Sequence, residues 1–128
     1  MIHSFPYSPL YRRPLLAGEI TANGNRSGFA GVVDSGADDC IFPMSFAYYL
    51  GISPRADEFH QFRGASGTGS LFFRNVVLEF SFGSFRGRVA FTESRTAGDL
   101  VLLGQNGFFD YSRVMMDRRA GIFTVDPY

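Results

Sequence analysis

The chain has no lysine; its twelve basic residues are all arginine and are balanced by twelve acids, so it carries no net charge. The arginine bias reads as genomic composition and carries no functional weight. Zero net charge argues against a nucleic-acid partner and against an anionic membrane surface. Cysteine is nearly absent as well. Cys40 is alone, so no internal disulfide can form, and its apolar neighbours mark it as a small buried hydrophobe, not a nucleophile. The two histidines, His3 and His60, lie far apart without metal-ligand spacing, so no zinc site and no cofactor are expected. No apolar run approaches membrane length and no charged-then-apolar leader opens the sequence, which predicts a soluble, cytoplasmic protein. The length suits a single domain, residues 1–128, with a modest core.

What the sequence does have is centred on Gly31-Val32-Val33-Asp34-Ser35-Gly36-Ala37-Asp38-Asp39-Cys40-Ile41-Phe42-Pro43. A short apolar run delivers Asp34 to the tip of a strand, Ser35 and Gly36 turn the chain, and a second apolar run carries it away. Asp, Ser and Gly are turn formers in any case, so the three residues alone describe a surface turn. The apolar flanks on both shoulders distinguish this stretch, because they pin a reactive carboxylate on a rigid loop. Gly36 leaves its backbone open to a ligand. Asp34, Ser35 and Gly36 are therefore the candidate catalytic residues. A Ca²⁺ site from Asp34, Asp38 and Asp39 does not fit, since such a loop needs oxygen ligands at alternate positions and a distal Glu.

The remaining pattern predicts a mostly β chain of short strands and turns. Residues 1–13, rich in Pro and aromatics, form an extended arm. Asn23-Gly24 is a preferred type I′ turn and joins strands over 15–21 and 27–34. A short helix over 44–50 follows Pro43 and ends at Gly51, with Phe46 and Leu50 facing the core. Residues 59–73 place three glycines within Gly64-Ala65-Ser66-Gly67-Thr68-Gly69, which describes a glycine-rich hairpin tip or a plain surface loop. The alternation over 76–91 predicts a hairpin turning at Gly83-Ser84, with Phe82 opposite Phe85, Leu78 opposite Val89 and Glu79 opposite Arg88. Leu100 to Leu103 reads as a strand buried on both faces, Gly104–Tyr111 as a short helix, and 114–125 as a last hairpin.

Val-Asp-Ser-Gly-Ala-Asp at 33–38, followed by Val101-Leu102-Leu103-Gly104, resembles the retropepsins, the single-domain aspartic proteases of retroviral type. The resemblance spans roughly Pro14 to Val125. It implies a small closed acid-protease barrel with one or two short helices, and an endopeptidase acting on a polypeptide substrate. Because the chain has one Asp-Ser-Gly loop, it also implies a homodimer in which two Asp34 carboxylates share one proton. Activity is then expected at acidic to mildly acidic pH. Carried over residue by residue, Ser35 would bond across the dimer, and Ala37, Asp38 and Asp39 would contact substrate. Gly67, Thr68 and Gly69 would form a flap tip within 59–73, and Val101, Leu102, Leu103 and Gly104 would support the catalytic loop. The sequence departs from the family at Gln105, where many members have an Arg that pairs with the acid at the position of Asp38; Arg12 or Arg13 is the candidate replacement. The alternative reading is a retropepsin-fold dimerisation or peptide-binding module that does not cleave.

Overall fold

A computed structural model describes residues 1–64, 67–93 and 100–128. Ten strands and one short helix, α1 (Met44–Tyr49), make up its regular structure, with a 3₁₀ turn at Ala56–Glu58. The strands are β1 (His3–Pro6), β2 (Leu15–Ala22), β3 (Asn25–Val33), β4 (Ile41–Pro43), β5 (His60–Gly64), β6 (Gly67–Phe80), β7 (Gly83–Thr92), β8 (Val101–Leu103), β9 (Ser112–Asp117) and β10 (Ile122–Pro127).

Six strands, in the order β2-β3-β8-β4-β7-β6, close into a barrel because β2 pairs with β6 as well as with β3. β5 lies outside this ring and, among the described residues, is paired only with β6. Closure removes the free edges of the main sheet. Inside it the alternating residues of the strands meet as an aromatic core, with Phe42, Phe72, Phe91 and Phe108 fully buried. Phe29 and Phe42 sit edge to face with centroids 5.1 Å apart, and Phe72 stacks on Phe91 at 5.4 Å. Chain ends form a second sheet in the order β1-β10-β9, so the N-terminal arm pairs in cis with the last strand.

Most of the predicted elements occur where the pattern puts them. Asn23 (φ 52) and Gly24 (φ 76) both take the left-handed conformation that a type I′ turn demands, and β2 and β3 pair from Ala22↔Asn25 inward. Leu50 is fully buried behind α1, and Phe46 packs against the core.

Two expectations are corrected. The hairpin β6–β7 turns at Ser81-Phe82, not at Gly83-Ser84, and its register sets Leu78 opposite Phe85 and Glu79 opposite Ser84. The displacement is an even number of residues, so the apolar face is kept while every cross-strand partner changes. Aromatic packing explains it. Phe82 leaves the ladder to stack on Phe80 (5.4 Å, 4° between planes) and to meet His3 and Phe5 of β1 at 5.3 and 6.0 Å. The expected Glu79 to Arg88 pair therefore does not form; Glu79 lies opposite Glu19, with Arg26 between the two carboxylates. The second correction concerns Gly104–Tyr111, which is a succession of turns and not a helix. Gly107 has φ 94, outside helical space, and its backbone sits tightly against Cys40 and the Arg88 carbonyl.

Candidate active site

β3 and β4 flank β8, pairing through Gly31↔Val101 to Val33↔Leu103 on one side and Ile41↔Leu102 on the other. The chain leaves β3 at Val33, passes over the end of β8 and returns as β4, so residues 34–40 form a loop above Leu103-Gly104. Backbone hydrogen bonds fasten it there. Asp34 N–H donates to Leu103 O (2.9 Å), Gln105 N–H to Ala37 O (2.9 Å), Asn106 N–H to Asp38 O (2.8 Å) and Cys40 N–H to Asn106 O (3.3 Å). Gly104 is required by the closeness of this fit: a Cβ there would lie 2.4 Å from Asp39 O and 2.6 Å from Ala37 O. The four residues Val101 to Gly104 and the loop are thus one packed unit.

Within the loop, the Gly36 N–H donates to Asp34 Oδ1 at 2.9 Å, and Ala37 N–H donates to the Asp34 carbonyl at 3.2 Å. These bonds fix the orientation of the carboxylate. The Asp34 side chain remains half-buried, Ser35 and Gly36 are exposed, and no ion pair engages Asp34 among the described residues. The result is a positioned carboxyl group, partly open to solvent and without an ion-pair partner among the described residues. Cys40, by contrast, is fully buried, and loss of solvation pushes its thiol up to about 12, so it stays neutral and unreactive.

Gln105, where an arginine was anticipated, turns its side chain toward the loop and donates from Nε2 to Ser35 O at 2.7 Å. It secures the peptide next to Asp34 without adding charge. Asp38 is exposed and unpaired among the described residues, and neither Arg12 nor Arg13 reaches it within the chain. The segment carrying those arginines is nevertheless a neighbour of the loop: Pro14 O accepts the N–H of Val33, one residue before Asp34 (2.9 Å). Asp39 is largely occupied, accepting from Asn106 Nδ2 at 3.1 Å with Arg88 Nη2 at 3.6 Å; Arg88 itself lies over the Phe73 ring at 4.0 Å.

Gly67, Thr68 and Gly69 begin β6, opposite Gly64, Arg63 and Phe62 of β5. They make no hydrogen bond to the Asp34 loop among the described residues. Ala65 and Ser66, at the tip, lie outside the described residues. At the root of this hairpin is a pair that the sequence reading missed. Arg74 grips Glu58 with both guanidinium nitrogens, Nη1 on Oε2 and Nη2 on Oε1 (2.9 Å for the latter), while Arg55 N–H donates to Oε1 at 2.8 Å. The Arg74 bonds first, and the Arg55 N–H second, hold the Glu58 carboxyl at about 2. Only near-symmetry about the hairpin tip relates positions 58 and 74 in the sequence.

A family model for aspartyl proteases matches residues 18–107, a stretch that contains both the Asp34 loop and its β8 support. The chain belongs to the aspartyl protease family. No curated protein sequence matches it. Among solved structures, this aspartyl protease fold is similar to a retropepsin-like aspartic protease from Rickettsia conorii, with TM-score 0.70 and 13% identity over 97% of this chain and 98% of that one. It is also similar to EIAV protease complexed with the inhibitor HBY-793, with TM-score 0.55 and 19% identity over 77% of this chain and 86% of that one. The chain thus has the retropepsin-like closed-barrel fold and belongs, as a family, with the aspartyl proteases. No group of three or more metal-ligating side chains occurs among the described residues. No helix among them is long and apolar enough to cross a membrane.

Proposed function

We propose that this aspartyl protease is an endopeptidase that works as a homodimer, each subunit contributing one Asp34 to a shared catalytic pair. The observation that carries the reading is the state of Asp34: fixed by the Gly36 N–H at 2.9 Å, partly open to solvent and without an ion-pair partner among the described residues. A lone carboxyl group cannot at one moment be ionised, to take a proton from water, and protonated, to polarise the peptide carbonyl. Two of them facing one another across a two-fold axis can. They hold one proton between them, because like charges so close do not both ionise. The ionised member takes a proton from water as that water attacks the peptide carbonyl. The protonated member donates a hydrogen bond to the carbonyl oxygen, and the proton then passes to the leaving nitrogen.

In this reading the Ser35 hydroxyl bonds across the axis and keeps the two carboxyl groups coplanar. Gly36 offers backbone to an extended polypeptide, and Asp38 meets Arg12 or Arg13 from the partner or a polar group of the substrate. The β5–β6 hairpin, with Gly67, Thr68 and Gly69 near its tip, covers the bound chain.

Incubating the purified protein with an unfolded polypeptide from neutral to acidic pH tests the proposal. Cleavage is expected to rise toward acidic pH and to vanish in Asp34→Asn, a nearly isosteric change that should leave thermal unfolding within about 1 kcal/mol of the parent. Binding of the polypeptide with no cleavage by either protein would instead support a peptide-binding module.

A further inference from the structure

The chain-end sheet leaves two outer edges among the described residues, β1 and β9. β1 is four residues long and ends in Pro6, which blunts it as a pairing edge. β9, Ser112-Arg113-Val114-Met115-Met116-Asp117, is longer and free of Pro, and it exposes 56% of Met115 and 41% of Met116. An apolar, unblocked edge with charge only near its ends has the character of a pairing surface.

The backbone geometry and the charge pattern of that edge together favour one register. Tyr128 N–H donates to Tyr111 O at 3.0 Å, continuing the β9–β10 ladder whose partners include Arg113↔Asp126 and Met115↔Thr124. Antiparallel hydrogen-bonded pairs recur every second residue, so the odd-numbered residues of β9 spend their backbone groups on β10. The N–H and C=O groups of Val114 and Met116 consequently point outward. A second β9 added antiparallel must meet these groups with its own. Of the registers that do so, the one centred on Met115 sets Val114 against the partner's Met116 and Arg113 against the partner's Asp117. Symmetry repeats each contact, giving two cross-strand ion pairs around a methionine pair. Asp117 Oδ1 already accepts from Ala120 N–H within its own turn (2.9 Å), which holds this carboxylate in place.

We infer that the second copy of the chain attaches at β9, pairing antiparallel with the partner's β9 about Met115, so that the two chain-end sheets join as β1-β10-β9-β9-β10-β1. This rests on the homodimer reading above and specifies its interface. For both readings to hold, the two-fold axis through Met115 must also be the axis that relates the two Asp34 loops, which the activity of a covalent dimer tests.

Cysteine cross-linking reads this register directly, since the native Cys40 is buried. In the proposed dimer Met115 faces the partner's Met115 as a non-hydrogen-bonded pair, with Cα atoms about 4.5 Å apart, within disulfide range. The two Arg113 positions lie roughly 14 Å apart, beyond it. In the full chain under mild oxidation, Met115→Cys should form a covalent dimer and Arg113→Cys should not. The oxidised Met115→Cys dimer should go on cleaving at dilutions where the parent loses activity. Separately, Arg113→Asp and Asp117→Arg should each weaken the dimer about tenfold in ultracentrifugation, and the double swap should restore it.

Failure of Met115→Cys to cross-link while the parent is dimeric and active overturns this interface and leaves the protease reading intact. Equal cross-linking at 113, or a covalent dimer that is inactive until reduced, does the same. A parent that is strictly monomeric overturns the interface, and if that monomer cleaves, the shared Asp34 pair falls with it.

Discussion

The Asp34 loop and the β5–β6 hairpin are both glycine-containing excursions from the barrel, yet they are held in opposite ways. The loop is bonded along its length to the turn after β8 by backbone groups, with Gly104 pressed beneath it. Among the described residues the hairpin pairs only with itself beyond the barrel, since β5 has no second strand neighbour there. It is gripped at the root by Arg74 on Glu58 and by the Phe59–Phe72 ring contact at 5.5 Å. Backbone stitching leaves a segment little freedom, whereas attachment at one end allows it to pivot. In the proposed function the chemistry falls to the fixed segment and the covering of substrate to the segment held at one end, a division that suits preorganised catalysis.

The strongest challenge to that contrast is Gly104→Ala. Its Cβ would meet backbone oxygens of Asp39 and Ala37 at 2.4 and 2.6 Å, and neither is the mobile end of a side chain. Relief requires the loop to lift from β8. We expect a loss of about 3 kcal/mol, at the upper end of overpacking costs, seen as a fall in Tm of roughly 10 °C with cleavage reduced to near background. Unchanged melting together with unchanged cleavage would mean the loop tolerates displacement, and the contrast with the hairpin would be lost.

The same contrast separates what could be read from sequence. Asn23-Gly24, the Asp34 loop and the β8 strand are each encoded by contiguous residues whose conformational demands are local, and each appears where the pattern puts it. The β6–β7 register was not legible, because it depends on Phe82 finding Phe80, His3 and Phe5, contacts that exist only once β1 has folded back on the barrel. Gly104–Tyr111 carried a helix-like spacing, but φ 94 at Gly107 answers to Cys40 at the end of the Asp34 loop and to Arg88 of β7. At the site, the Asp34 carboxylate and its glycine neighbours were legible. The bonds of Gln105 to Ser35, Arg88 to Asp39 and Arg74 to Glu58 were not, since each joins residues distant in sequence.

Gln105→Ala sharpens the comparison at lower cost. It removes the side-chain bond to Ser35 O at 2.7 Å and leaves the backbone stitches intact. Because both groups are exposed, the loss of stability should be no more than about 1 kcal/mol. The loop next to Asp34 is nonetheless less constrained, so cleavage should fall several-fold through kcat with little change in KM. An effect confined to KM would assign Gln105 to substrate binding and not to holding the loop.

The smallest effect is expected at the hairpin root, and its pH dependence identifies it. Glu58 in the folded chain is held at about 2, against an ordinary 4.5, chiefly by Arg74. A folded-state value below the unfolded one means that the unfolded chain binds the proton more readily, so the pair stabilises the fold fully above about pH 5. That contribution declines as the pH falls through the ordinary value and is gone once it passes about 2. Glu58→Gln removes the charge and keeps the shape. The Tm difference between parent and variant should therefore be constant from neutral to about pH 5, then shrink toward zero near pH 2. The Glu58 side chain is only 15% exposed and that of Arg74 only 29%, so added salt should reduce the difference less than it would for a surface pair. At the mildly acidic pH where a shared-proton pair works, the brace is still formed, and its loss should raise KM through the hairpin while kcat holds. A Tm difference that persists undiminished at pH 2 would show that the Glu58 charge does not secure the hairpin, and the hinge would have to be sought in the Phe59–Phe72 contact instead.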